Sequence, residues 1–156
     1  MPRLKWAKGL EGTVSKIVLG YDDSESAKEA LVFAAALAKS SGSELVIAHV
    51  LEWSPYSFLT PEEIEERHKR RKEELERAET ALLKPAKAEA ERAGAKVKAV
   101  MKYGHIAETL VQVIKDEGAS QVVIGRTGNS SISSRLFGSV AGSLAQVSPV
   151  PVTIVP

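Results

Sequence analysis

KIVLGYDDSESAKEALVFAAALAKSSGSELVIAHVLEW, residues 16–53, reads as strand, turn, helix, turn and strand. KIVLGY is a short apolar run that stops at the polar DDSES, and SAKEALVFAAALAKSSG then carries apolar residues at helical spacing and closes on a glycine. ELVIAHVLEW returns to a run that is apolar on both faces, as a parallel strand covered from both sides is. A strand–helix–strand unit of this kind crosses over right-handedly, and repetition of it builds a doubly wound parallel sheet.

The repetition continues to the C-terminus. WSPYSFLTP (53–61) interrupts with two prolines and three aromatics, and the charged segment Glu62 to Gly94 follows. That segment predicts a helix with Thr60 as N-cap and Pro61 in its first position. Ile64, Leu75, Leu82 and Ala93 fall near one stripe, which predicts a narrow face packed on the sheet, and Pro85 predicts a kink or a division. AKVKAVMKYG alternates like an edge strand with one wet face. IAETLVQVIKDEG predicts a helix and ASQVVIG the fourth strand; RLFGSVAGSLAQV (135–147) contains the last helix and PVPVTIVP supplies the fifth strand. The expectation is an α/β domain over 15–156, preceded by a flexible N-terminal arm over 1–14. In such sheets ligands bind beyond the carboxyl ends of the strands, where the strand order reverses.

Composition limits the partners. The chain has 156 residues, 44% of them hydrophobic, enough for one sizeable core. Its 21 basic and 20 acidic residues nearly cancel, so no global field draws it to nucleic acid or to an anionic membrane. Cysteine is absent, which excludes disulfides, thiolate zinc sites and cysteine nucleophiles and fits a reducing compartment, with the cytoplasm as the default. The N-terminus lacks the apolar run of a secretory signal, and no eighteen apolar residues occur together. The three histidines, His49, His68 and His105, show no metal-ligand spacing. His49 is expected to be a hydrogen-bonded core residue, and His105 to approach the rim of a site. HKRRK (68–72) is neutralised by the acidic residues on its own helix and reads as a solvated face. Trp53, Tyr56 and Phe58 suit either a lid or simple packing of their loop.

The candidate site is GRTGNSSISSRLFGSV, residues 125–140, directly after the fourth strand. Gly125 and Gly128 are expected to allow positive φ and close approach of a ligand. Gly138 and Ser139 open a helix, where unpaired N–H groups and the helix dipole favour phosphate. Asn129, Ser130, Ser131, Ser133, Ser134 and Ser139 add hydrogen-bond donors, and Arg126 and Arg135 positive charge. A polyphosphate matches this chemistry; a plain connecting loop matches the composition as well. Neither G-x-x-x-x-G-K-[ST] nor, after the first strand, G-x-G-x-x-G is present.

Spacing carries a resemblance. Gly125, Gly128, Gly138 and Ser139 reproduce the G-2x-G-9x-G-[ST] signature of ATP-binding universal stress proteins, and the chain resembles that family from about Ser15 to Pro156, KIVLGYDDSESAKEAL and ELVIAHV included. The resemblance implies a Rossmann-like five-stranded parallel sheet of order 3-2-1-4-5, with helices on both faces and ATP across the ends of the first and fourth strands. Carried over by position, Gly20, Tyr21, Asp22 and Val50 would surround adenine and ribose. Gly125, Arg126, Thr127, Gly128, Asn129, Ser130 and Ser131 would lead from ribose to phosphates, and Gly138, Ser139, Val140 and Ala141 would hold the triphosphate. Two departures stand out: Asp23, where the family often has Gly or Phe, and Arg126–Thr127, where it commonly has Ser followed by Arg or His. Asp22 is expected to face the nucleotide, and Asp23 to face solvent or cap the first helix. The implied role is regulatory or stress-responsive, in a cytoplasmic homodimer paired through residues 150–155. A slow ATPase, or an interaction dimer holding AMP, ADP or no nucleotide, is the alternative. No catalytic residue is assigned; Mg2+ would be held through phosphate oxygens, water and Asp22, with no dedicated carboxylate cage.

Overall fold

A computed structural model describes residues 14–52, 59–128 and 138–156. Five parallel strands, β1 (Lys16–Gly20), β2 (Glu44–Glu52), β3 (Lys96–Gly104), β4 (Gln121–Gly125) and β5 (Val152–Val155), form one sheet in the order β3-β2-β1-β4-β5. The helices are α1 (Glu25–Ser41), α2 (Pro61–Ala78), α3 (Lys84–Arg92), α4 (Ile106–Glu117) and α5 (Ser139–Val147).

The strands sort their residues by alternation. Ile17, Leu19, Leu45, Ile47 and Val123 meet α1 and α3 on one face, while Val18, Val46 and Val122 meet Leu110, Val113 and Ile114 of α4 and Leu144 of α5 on the other. All of these residues are essentially excluded from water. Burial of one such aliphatic side chain contributes roughly 1.5–3 kcal/mol, so these two layers hold the sheet and fix where its strand ends lie.

Helix α1 begins where the Ser24 hydroxyl accepts from the Ala27 N–H and ends at Gly42, whose φ of 67° closes the helix through bonds to the Ala38 and Lys39 carbonyls. Its buried stripe is Ala27, Ala30, Leu31, Ala34, Ala35 and Ala38, mostly alanine, so the helix backbone sits close to the sheet. At the far edge β3 alternates as expected, exposing Lys96, Lys98 and Lys102. Lys16 and Lys98 both donate to Glu117, at 2.9 and 2.6 Å, joining two strands to the end of α4. The hydrogen bond from Lys98, then that from Lys16, holds the Glu117 carboxyl below the ordinary carboxylate range.

The long charged segment differs from its expected packing. Thr60 does cap α2 through a reciprocal capping box with Glu63, and Pro61 opens the helix. Yet α2 buries no residue, Ile64 is 44% exposed and Ala93 is exposed as well. A π-helical turn, Glu79–Leu83, separates α2 from α3; of the expected stripe Leu82 does pack against the core, and the buried residues beside it are Leu83, Ala86 and Ala90. A π turn inserts a residue and rotates the face that follows, so one 3.6-residue stripe cannot run through it. Pro85, which has no N–H, falls in the first turn of α3, so the division at this proline is as expected. Among the described residues no helix is long and apolar enough to cross a membrane.

Candidate functional site

Strands β1 and β4 lie side by side, but the chain leaves them toward opposite faces: α1 follows β1 onto one face, and α5 follows β4 onto the other. A crevice at the carboxyl ends of these two strands follows from the topology. It holds a cavity of about 300 Å³. Gly20, Tyr21 and Asp22 line it from β1 and its turn, Ala27 from α1, and Ala48, His49, Val50 and Glu52 from β2. Ile106 and Leu110 of α4, Ile124, Gly125, Thr127 and Gly128 of β4 and its loop, and Gly138, Ser139, Val140 and Ala141 at the start of α5 complete the lining.

The turn after β1 separates its two acids. Asp22 lines the cavity, and its Oδ1 accepts from the Ser24 N–H at 3.0 Å and the Ser24 hydroxyl at 2.5 Å. Asp23 turns outward, its side chain 53% exposed and 3.9 Å from the Lys28 Nζ. The solvent-facing expectation for Asp23 is met; the cap of α1 is Ser24. Asp23 has φ of 63°, a conformation in which a side chain costs energy and glycine does not, which accounts for glycine suiting this position. Burial, followed by the charge of Asp23, pushes the Tyr21 hydroxyl up to about 12.

His49 Nδ1 lies 2.7 Å from the Tyr21 carbonyl oxygen. A carbonyl only accepts, so Nδ1 carries the proton. The histidine is hydrogen-bonded as expected, and it also lines the cavity, a position the sequence reading had not given it. His105 occupies the N-cap position of α4 and is exposed; Ile106, the next residue, reaches the cavity in its place.

Gly138 and Ser139 open a helix as expected, but the positive φ expected of Gly125 and Gly128 is not found. A Cβ on Gly125 would stand 2.6 Å from the Ser26 Oγ and under 3.0 Å from the Ser26 backbone, so this glycine lets α1 seat against β4. A Cβ on Gly128 would lie 3.3 Å from Asp22 Oδ2, placing Gly128 beside the acid at the cavity. Gly138 donates to the Arg126 carbonyl at 2.7 Å and opens α5, where among the described residues no side chain caps the first-turn N–H groups. Of the pair Arg126–Thr127, Thr127 lines the cavity and Arg126 does not, and the Arg126 Nε has no partner among the described residues. Among the described lining residues there is no lysine or arginine, so backbone amides supply the positive potential there.

Asn129, Ser130, Ser131, Ser133, Ser134 and Arg135, the aromatics Trp53, Tyr56 and Phe58, and the arm up to residue 13 lie outside the described residues. Among the described residues no group of three or more His, Cys, Asp or Glu is placed to hold a metal ion. Ala27, Ala48, His49, Glu52, Ile106, Leu110 and Ile124 are lining residues that sequence reading missed. Ala48 shares the face of Val50 by strand alternation, a signal present in the sequence. Ile106 and Leu110 meet the cavity only because α4 packs over β2.

A doubly wound parallel sheet with its crevice at the reversal of strand order defines a Rossmann-like α/β fold. The model of the universal stress protein family matches residues 13–156, and the chain belongs to that family. A universal stress protein of Thermus aquaticus, encoded in the QAH/OAS sulfhydrylase 3′ region, is 34% identical over 139 residues, covering 89% of this chain and 96% of its relative. Universal stress protein UspA from Lactobacillus plantarum superposes with a TM-score of 0.80 at 20% identity, over 93% of this chain and 99% of that one. A universal stress protein crystallised in complex with cAMP superposes with a TM-score of 0.68 at 26% identity, over 93% of this chain and 98% of that one.

Proposed function

We propose that the protein is an ATP-binding member of its family, in which nucleotide occupancy sets a regulatory or stress-response state. One observation carries this reading: a single cavity combines apolar side chains with a loop and helix start rich in backbone donors. Ala48, Val50, Ile106 and Leu110 offer apolar surface to a flat base. The backbone amides of Gly128 and of Ser139 to Ala141, at the start of α5, offer donors to phosphates. At about 300 Å³ the cavity sits at the lower end of ligand-site volumes, which run to about 1,000 Å³, a size that suits base and ribose, with the phosphates lying along the loop. Binding of cAMP by a relative supports the adenine half of the reading.

In this reading the site residues are Gly20, Tyr21, Asp22 and Val50 for the nucleoside, and Gly125 to Ser131 with Gly138 to Ala141 for the phosphates. Mg2+ enters with the triphosphate, held by its oxygens and water, with Asp22 as the carboxylate beside Gly128. The functional unit is residues 15–156 as a cytoplasmic homodimer. Of the two sheet edges, β3 carries three exposed lysines and β5 carries no charge, which favours β5 for antiparallel pairing with a second copy.

The test starts from protein purified without added nucleotide. Release on denaturation of ATP near one per chain, identified by mass spectrometry, or saturable ATP binding in calorimetry, supports the reading. Gly128→Val with Ser139→Ala removes that binding while far-UV circular dichroism stays constant; unchanged affinity refutes the site. Sedimentation of a protein lacking residues 150–156 tests the pairing, and a folded dimer refutes it.

A further inference from the structure

Ser26 stands in the first turn of α1 and does not line the cavity. It is buried, and its hydroxyl makes two bonds that run in different directions. The oxygen accepts from the Thr127 N–H at 3.2 Å, and the hydroxyl donates to the Val155 carbonyl at 3.3 Å. Thr127 belongs to the loop that lines the cavity, and Val155 ends the edge strand β5. The same carbonyl accepts the Arg126 N–H at 2.7 Å. Gly125 keeps this junction tight, since even a methyl there would collide with the Ser26 backbone.

A hydroxyl has one hydrogen to donate and lone pairs with which to accept. Ser26 uses both roles at once, on the site loop and on the edge strand, and hydrogen bonds in such a chain strengthen one another. Pinning the Thr127 amide therefore favours the orientation that also holds Val155, and releasing it weakens that hold. Linkage requires the converse: ordering β5 against a partner favours the bonded loop.

Resting on the nucleotide reading of the cavity, we propose that Ser26 is a positioning residue that ties occupation of the site loop to the order of the C-terminal edge strand. Nucleotide binding and pairing of β5 with a partner then share a buried bridge through Ser26, spanning 101 residues of sequence on the loop side and 129 on the strand side, which acts beside the direct bond from the Arg126 N–H to the Val155 carbonyl.

Hydrogen exchange read by mass spectrometry on the full chain, wild type and Ser26→Ala, tests this, with circular dichroism confirming that the variant folds. Without ligand, Ser26→Ala speeds exchange at residues 126–127 and at 152–155 roughly fivefold, the factor for one lost hydrogen bond. With saturating ATP the wild type slows at both segments, whereas in the variant the slowing at β5 is smaller, since only the direct bond from the Arg126 N–H to the Val155 carbonyl still joins the loop to the strand. Two results overturn the proposal: ligand-free Ser26→Ala that loosens the loop without β5, or ATP that slows β5 equally in both proteins. Failure of ATP to bind the wild type in calorimetry refutes the nucleotide reading and with it the ligand named here, whereas binding that leaves β5 unaffected refutes the coupling alone.

Discussion

Gly125→Ala and Gly128→Ala change the same kind of residue three positions apart and are expected to fail in different ways. A methyl at 125 meets the Ser26 Oγ at 2.6 Å and the Ser26 carbonyl carbon and oxygen at 2.8 and 2.9 Å. Contact distances of about 3.5 Å are needed, so α1 must retreat by most of an ångström, and a gap of that size forfeits a quarter to a half of each dispersion contact it opens. The stripe that would lift is Ala27, Ala30, Leu31, Ala34, Ala35 and Ala38, none more than 3% exposed. Overpacking of this kind costs about 1–3 kcal/mol, and the stiffer unfolded chain returns about 0.4–1 kcal/mol. A net loss of about 1.3 kcal/mol lowers the melting temperature of a chain this long by roughly 3–5 °C.

At 128 the added methyl meets, among the described residues, only the end of the Asp22 side chain at 3.3 Å, so stability should move by no more than about 2 °C. The methyl stands instead at the cavity, and ATP affinity should fall about tenfold or more, the factor that about 1.4 kcal/mol represents. Thermal unfolding by circular dichroism and ATP titration by calorimetry read the two effects separately. Gly125→Ala melting within about 1 °C of wild type would refute the close-approach account of that glycine, and Gly128→Ala binding ATP normally would refute the placement of the ligand.

Three further expectations concern other parts of the molecule. Leu110→Ala removes a side chain that is 1% exposed and borders both core and cavity, so it should cost about 2–5 kcal/mol in denaturant unfolding and also weaken adenosine binding. Glu117→Gln should destabilise by about 1 kcal/mol at neutral pH. Because the folded carboxyl titrates below its usual value, that stability is present above the unfolded pKa of 4.5 and is lost as pH falls through the folded one, so the two proteins should converge in acid unfolding. Thr60→Ala breaks the capping box and should cost about 1 kcal/mol locally. With α2 burying no residue, amide exchange over its first turn should quicken while the global melting temperature stays nearly constant.

Local chemistry was legible in the sequence. Doubly apolar runs gave β1, β2 and β4, alternation marked β3 as an edge, and Thr60 with Pro61 announced α2. The spacing of Gly125, Gly128, Gly138 and Ser139 pointed to the crevice that the topology opens. The strand and helix signals depend on residues a few positions apart, where the repeats of each element leave a pattern, while the glycine spacing spoke through the resemblance to universal stress proteins. The tertiary structure decided the rest. Gly125 is a glycine because Ser26 approaches it, and Ile106 with Leu110 joins Val50 at the cavity because α4 crosses the sheet there. The packed face of the long charged segment moved because a π turn rotated it. Contacts such as Ser26 with Thr127 join residues 101 apart, a separation at which no periodicity survives and only packing in three dimensions sets the neighbour.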